Sequence, residues 1–208
     1  MSFKGFHNKD FDVFKVDGLD ARMEALKSRV RPKLEELGEI IAPTLSALTG
    51  DEIFPHVAQH ARRTVNPPND TWVAFADNKR GYKKHPHFQI GLWQTHLFVW
   101  FAVINEADNK TAIAENFNKH LSEMKKRIPG DYVWSKDHTE PEVIPQTDAD
   151  LKAMVERLKN VKKAEILCGR NFVRGNALLK NGDQLIHEIE NTFKTVLPLY
   201  RWAKQAGS

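Results

Sequence analysis

Along the chain, apolar residues recur at Leu19, Met23, Leu26, Val30, Leu34, Leu37, Ile41, Leu45 and Leu48. The steps are three and four residues, the spacing of one helix face. Asp17 and Asp20 offer caps for a helix beginning near Leu19. Pro32 and Pro43 each remove a backbone donor, which predicts a kinked or segmented helix ended by Thr49-Gly50-Asp51. Ahead of it, Phe11, Val13 and Val16 read as a strand or an extended lead-in. Behind it, Glu52 to Ala61 reads as a shorter helix with Pro55 in its first turn.

Beyond the turn Asn66-Pro67-Pro68-Asn69-Asp70 the period changes to two. Thr71 to Ala76 is rich in residues that favour strands, and Phe88, Ile90 and Leu92 alternate with Gln89, Gly91 and Trp93. Leu97 to Ile104 is apolar on both faces, the pattern of a central strand. Trp93-Gln94-Thr95-His96 links the last two as a hairpin, and Asp77 to Lys84 joins the first two, so the middle of the chain is an antiparallel meander. Helical spacing returns over Thr111 to Arg127 and Asp148 to Asn160, with a strand at Tyr132 to Trp134, a loop from His138 to Thr147 and a strand at Ala164 to Cys168. Asp183 to Lys204 is a final helix that Pro198 kinks or breaks. Helices and strands alternate too irregularly for a doubly wound sheet. The predicted class is α+β: an antiparallel-rich sheet with a central meander and helices mainly on one face, as a single domain over residues 1–208.

Composition changes this picture little. At 41% hydrophobic and 28% charged the chain is an ordinary globular one. Its single cysteine, Cys168, excludes an intrachain disulfide and a zinc site built on cysteine pairs, and its place at the apolar end of a strand marks it as buried and inert. Met1 to Asp10 lacks the apolar core of a signal peptide. The longest apolar run, eight residues, is far short of the roughly 20 a membrane helix needs. The expected compartment is the cytoplasm, with no membrane partner. Charge is more telling. The formal net charge is +4, and the segment His56 to His87 carries all of it: Arg62, Arg63, Lys79, Arg80, Lys83 and Lys84 against Asp70 and Asp77. Four of the nine histidines, His56, His60, His85 and His87, lie there as well.

The stretch from His60-Ala61-Arg62-Arg63-Thr64-Val65-Asn66-Pro67-Pro68 through Asp70-Thr71-Trp72-Val73-Ala74-Phe75, Asn78-Lys79-Arg80-Gly81-Tyr82-Lys83 and Pro86-His87-Phe88-Gln89-Ile90-Gly91-Leu92-Trp93 resembles the YktB-like family of uncharacterised bacterial proteins, the UPF0637 group. Asp17-Gly18-Leu19, Leu48-Thr49-Gly50, Asp137-His138-Thr139, Lys162-Lys163-Ala164-Glu165 and Pro198-Leu199-Tyr200-Arg201 extend the likeness over nearly the whole chain. It implies a compact α+β fold with helices on an antiparallel sheet, loosely grouped with biotin-ligase-like folds. That is an analogy of fold and carries no function. It supplies no catalytic residue.

Arginine forks grip phosphate or carboxylate in pairs, and a glycine at a loop centre lets backbone N–H groups approach an anion. Arg62, Arg63, Lys79, Arg80, Tyr82 and Lys83, with His87 and Gln89 on the strand face opposite Phe88 and Ile90, are therefore the expected site for an anionic ligand, a nucleotide or phosphorylated metabolite. The arginine pair and the Lys79–Lys83 loop fall at opposite ends of one strand, about 20 Å apart, so a shared pocket depends on the fold. The same charge would suit RNA or DNA, with Trp72, Trp93 and Trp100 stacking on bases, or an acidic protein partner. Core packing is the commoner use of such tryptophans. His56 and His60, spaced i, i+4 on the expected helix, lack the acidic partner of a zinc helix, and no metal centre is assigned. Lys162, Lys163, Glu165, Arg170 and Arg174 form a second charged run, in which Glu165 is an acid or base or, more simply, an ion-pair partner. No Walker loop, dinucleotide fingerprint or nucleophile elbow is present, so no cofactor or catalytic residue is named.

Overall fold

The computed structural model describes residues 3–206; of the opening segment Met1 to Asp10, residues 1 and 2 lie outside it. The chain runs α1 (Asn8–Phe11), α2 (Leu19–Ala25), α3 (Arg31–Thr49), β1 (Phe54–Val57), β2 (Asp70–Ala76), β3 (His87–Trp93) and β4 (His96–Val103). It continues through α4 (Lys110–Lys119), α5 (Leu121–Arg127), β5 (Val133–Ser135), β6 (Ile144–Pro145), α6 (Leu151–Asn160), β7 (Ile166–Val173) and α7 (Gly182–Gln205). The strands form one seven-stranded sheet in the order β1-β2-β3-β4-β7-β5-β6, and every neighbouring pair is antiparallel. The class is α+β, as the sequence pattern predicts, and the doubly apolar strand β4 sits at the sheet's centre.

Strand alternation sorts side chains onto two faces. Val73, Phe75, Phe88, Ile90, Leu92, Leu97, Val99, Phe101, Ile166 and Cys168 face the helices and join Leu34, Leu37, Ile41, Leu45, Ile189, Phe193 and Tyr200 in the main core. Phe88 is the hub there, stacked on Tyr200 at 4.9 Å and tilted against Phe193 at 5.0 Å. The opposite face has its own, smaller core of Trp93, Phe98, Trp100, Ala102, Ile104 and Leu167, onto which Trp72, Tyr82 and Val143 pack from the strand edge and the loops. Two glycines make this second layer possible. Gly91 stands across from Phe98 and Gly169 across from Trp100. A Cβ on Gly91 would lie 2.3 Å from the Phe98 ring, and one on Gly169 would lie 1.9 Å from the Val99 carbonyl oxygen and 2.8 Å from Trp100. The two rings, 4.5 Å apart, lie flat where those side chains would stand.

Several expectations are corrected. Phe11 and Val13 are helical, in α1 and a 3-10 turn at Asp12–Lys15, and only Val16, which follows that turn, is extended. The helix expected from Glu52 to Ala61 is instead the edge strand β1, paired with β2. At an edge Pro55 costs no ladder hydrogen bond, and His60, with φ at 52°, is in a left-handed conformation that a helix excludes. The long first helix is segmented by a π-helical turn over Leu26–Val30, just ahead of Pro32 in the first turn of α3, whereas Pro43 sits inside α3 without breaking it. Pro198 likewise sits within a continuous α7. The helix expected over Thr111–Arg127 breaks at His120 into α4 and α5.

Candidate functional site

The loop from Asp77 to Pro86 and the end of β1 enclose a cavity of about 500 Å³. The loop is tied by its own polar groups. The Asn78 side chain accepts from the Arg80 N–H at 2.8 Å and reaches the His85 ring at 3.1 Å. His56 Nε2 donates to the Asn78 carbonyl at 2.8 Å, which fixes that nitrogen as the protonated one. Arg80, Lys83, Lys84, His56, His85 and Tyr82 line the cavity, and no carboxylate does. Lys83 pairs with Glu106 at 3.0 Å and Lys84 with Asp108 at 3.8 Å. Both pairs are exposed, and such pairs contribute little. Arg80 makes no salt bridge among the described residues.

Of the residues singled out from sequence, Arg80, Tyr82 and Lys83 come together here. Arg62, Arg63 and Lys79 are exposed and do not line the cavity; Arg63 turns back on its own loop, donating to the Asn66 carbonyl at 3.4 Å. His87 and Gln89 do face away from the main helices, but they lie buried behind Tyr82. The Tyr82 ring meets His87 edge-on at 4.9 Å. Gln89 Nε2 donates to His87 Nε2 at 2.8 Å, and His87 Nδ1 donates to the His85 carbonyl at 2.7 Å. That pairing holds His87 neutral with its proton on Nδ1, and burial pushes its pKa down to about 3. The two residues support the cavity wall. In the second charged run the arginines are structural: Arg170 pairs with Glu188 at 2.6 Å and Asp131 at 3.2 Å, and Arg174 with Asp12 at 2.8 Å, while Lys162 and Lys163 are exposed.

Across Tyr82 the same sheet face carries a second polar cluster that composition does not reveal. Trp72 Nε1 donates to the Tyr82 hydroxyl at 3.0 Å. The Trp72 ring is met edge-on by His60 at 5.5 Å and His138 at 6.3 Å. Glu165, buried just ahead of β7, accepts from the backbone N–H of Asn105 at 3.0 Å and of His138 at 2.8 Å, and from His138 Nδ1 at 2.8 Å. Burial disfavours the His138 imidazolium, yet the hydrogen bond and charge of Glu165, with Asp70 and Glu106, outweigh it and raise its pKa. Asp70 is 6% exposed. Desolvation pushes its carboxyl up to about 7 against the pull of His138 and Arg63. One donor atom from each of Asp137, His138 and Glu165 lies within 4.8 Å of the others, the described trio nearest to a metal-binding set. Here, however, His138 Nδ1 is spent on Glu165, and Asp137 accepts from the Thr139 N–H at 2.8 Å and hydroxyl at 2.6 Å, so the trio works as a hydrogen-bonded clamp. Sequence reasoning passed over His138 and Asp70 as site residues. The one signal for Asp70 was its alternation with Trp72; His138 sits in an aperiodic loop and had none.

The arrangement defines a class: an α+β protein whose helices cover one face of an antiparallel sheet while loops and polar side chains cover the other. Residues 6–200 match the family model described as a domain of unknown function, DUF1054. The chain is 54% identical to a UPF0637 protein of Bacillus velezensis over 96% of its own length and 97% of the relative's. It is 53% identical to one of Bacillus licheniformis over the full length of both. A UPF0637 protein of Oceanobacillus iheyensis is 51% identical over 96% of each chain. The chain belongs to the UPF0637 family. No described helix is long and apolar enough to cross a membrane.

Proposed function

We propose that the cavity between β1 and the Asp77–Pro86 loop binds an anionic small molecule, a nucleotide or phosphorylated metabolite. The observation that carries this reading is the lining itself: three cationic side chains, two imidazoles and no carboxylate around about 500 Å³, a volume within the range of small-ligand pockets. Arg80 and Lys83 grip the anion, His85, whose Nε2 accepts from the Asn78 amide, donates to it through Nδ1, and Tyr82 and His56, its Nε2–H held by the Asn78 carbonyl, form the wall. Arg62, Arg63 and Lys79 act at a distance, steering anions by charge. Trp93 and Trp100 are buried, which leaves no row of exposed tryptophans beside the cations for bases to stack on, so a small anion suits the site better than a nucleic-acid strand.

Thermal unfolding with inorganic phosphate, nucleotides and phosphorylated sugars tests the reading. A ligand at 100 times its Kd stabilises the fold by about 2.7 kcal/mol, and Arg80→Ala removes the shift. No shift with any anion in the panel refutes the proposal.

A further inference from the structure

The cavity beside the Asp77–Pro86 loop is bounded on its other side by the free edge of the sheet, where β1 is the outermost strand. The Ala58 N–H donates to the Trp72 carbonyl at 2.8 Å, which sets the phase of the ladder. Phe54, His56 and Ala58 turn their main-chain groups to β2, and Pro55, Val57 and Gln59 turn theirs outward. Val57 packs its side chain against the main core, on the face away from Tyr82, so it lines the cavity with its main chain. Its outward N–H meets no partner among the described residues. Its carbonyl accepts from Gln59 Nε2 at 3.2 Å, and that bond leaves Gln59 Oε1 as an acceptor near the Val57 N–H donor.

We propose that the anion is a nucleotide, with its phosphate at Arg80 and Lys83 and its base against the outer edge of β1 at Val57 and Gln59. The inference rests on the anion reading of this cavity and chooses between the two ligand classes which that reading allows. The lining is of two kinds. Arg80, Lys83 and Lys84 supply charge, while Val57, Ala58, Gly81 and Tyr82 make an uncharged wall. A cavity of about 500 Å³ is of the size that takes a drug-sized ligand, and a phosphate group fills only a small part of it. A nucleobase suits the remainder. It carries a hydrogen-bond acceptor beside an N–H donor, the complement of the Val57 N–H and Gln59 Oε1. The unpaired main chain of an edge strand is open to such pairing, as it is to another strand. A Cβ at Gly81 would meet nothing within 4 Å, so the loop leaves room there for a flat ring. A phosphorylated sugar would bring several hydroxyls to a wall with few polar atoms, and the unmatched ones would lose water without gaining a partner.

Titration calorimetry on the intact protein compares inorganic phosphate, ribose 5-phosphate and the monophosphates of adenosine, cytidine, guanosine and uridine, with the Val57 amide resonance followed by NMR. At least one nucleotide binds about tenfold more tightly than ribose 5-phosphate, the scale of one or two hydrogen bonds. It shifts the Val57 amide, which ribose 5-phosphate leaves in place. Gln59→Ala, at an exposed position, weakens that nucleotide about fivefold and leaves phosphate and ribose 5-phosphate unchanged. If ribose 5-phosphate binds as tightly as every nucleotide, or the Val57 amide does not respond, the base site is refuted while the anion reading stands. If neither phosphate nor any of its esters binds, the anion reading fails and the base site with it. Both of these outcomes are measured on the wild-type protein and hold whether or not a variant folds.

Discussion

The two ends of the helix-free sheet face differ in how they handle charge. At the loop end Arg80, Lys83 and Lys84 stand on the surface, and the ion pairs of the two lysines with Glu106 and Asp108 are exposed. At the Trp72 end the charges are few but desolvated. Burial pushes Asp70 up to about 7 and His60 and His96 down to about 4, and Glu165 raises His138. Surface charge is screened by water and salt and does little for the fold, whereas the same charge under low dielectric costs or contributes several times more. Net charge therefore locates the first region and is blind to the second, where each group's effect on stability is larger.

Glycine substitutions sharpen the contrast most. Gly169→Ala drives a methyl to 1.9 Å from the Val99 carbonyl and forces β4 from β7, for an expected loss of about 3 kcal/mol, or a Tm lower by roughly 6–12 °C. Gly81→Ala in the cavity loop meets nothing within 4 Å and should change stability by less than about 0.5 kcal/mol. Equal effects in a melting experiment would remove the distinction between a packed end and an open one.

Asp70→Asn is the next largest. The folded pKa of Asp70 lies above its unfolded value, so its contribution is present below about pH 4 and is lost as pH rises through about 7. The variant should be more stable than wild type at pH 8, by on the order of 2 kcal/mol, with the difference vanishing at pH 4. A destabilised variant at pH 8 would show that the Asp70 carboxylate is paired in solution. Buried histidines act with the opposite sign. His96 has its folded pKa lowered to about 4, so its contribution is present above the unfolded value and fades as pH falls through it. Replacing it, as in His96→Phe, should therefore gain roughly 1–2 kcal/mol on wild type between pH 6.5 and 5; parallel pH profiles would contradict this. The smallest effect is expected from Arg62→Ala with Arg63→Ala. These residues lie outside the cavity lining, and neither stability nor phosphate affinity should move by more than about 0.5 kcal/mol.

Much of the fold was legible. The meander of β2, β3 and β4 follows from alternation and the central place of β4 from its two apolar faces, while of the two prolines expected to segment the first helix Pro32 marks the start of α3 and Pro43 lies within it. What failed did so for local reasons. Pro55 is equally at home in a first helical turn and on an edge strand, and only the pairing of β1 with β2 decides between them. Phe11 to Val16 is too short for its period to be read. His87 and Gln89 were placed on the correct face, but alternation cannot report that Tyr82 and Trp100 bury them there. The site was half legible. Charge excess led to Arg80 and Lys83, while the His138–Glu165 contact joins residues 27 apart through a loop without periodicity.

The central claim is that the anion site belongs to the cavity loop and to Arg80, apart from the rest of the charge excess. Titration of the intact protein with inorganic phosphate, followed through the imidazole resonances of His56 and His85, tests it directly. Both histidines should move with one saturating Kd. Arg80→Ala should weaken it about tenfold, the scale of a charge-assisted hydrogen bond, and Arg62→Ala with Arg63→Ala should leave it unchanged. Histidines that do not respond, or a Kd that depends on Arg62 and Arg63 and not on Arg80, would contradict it.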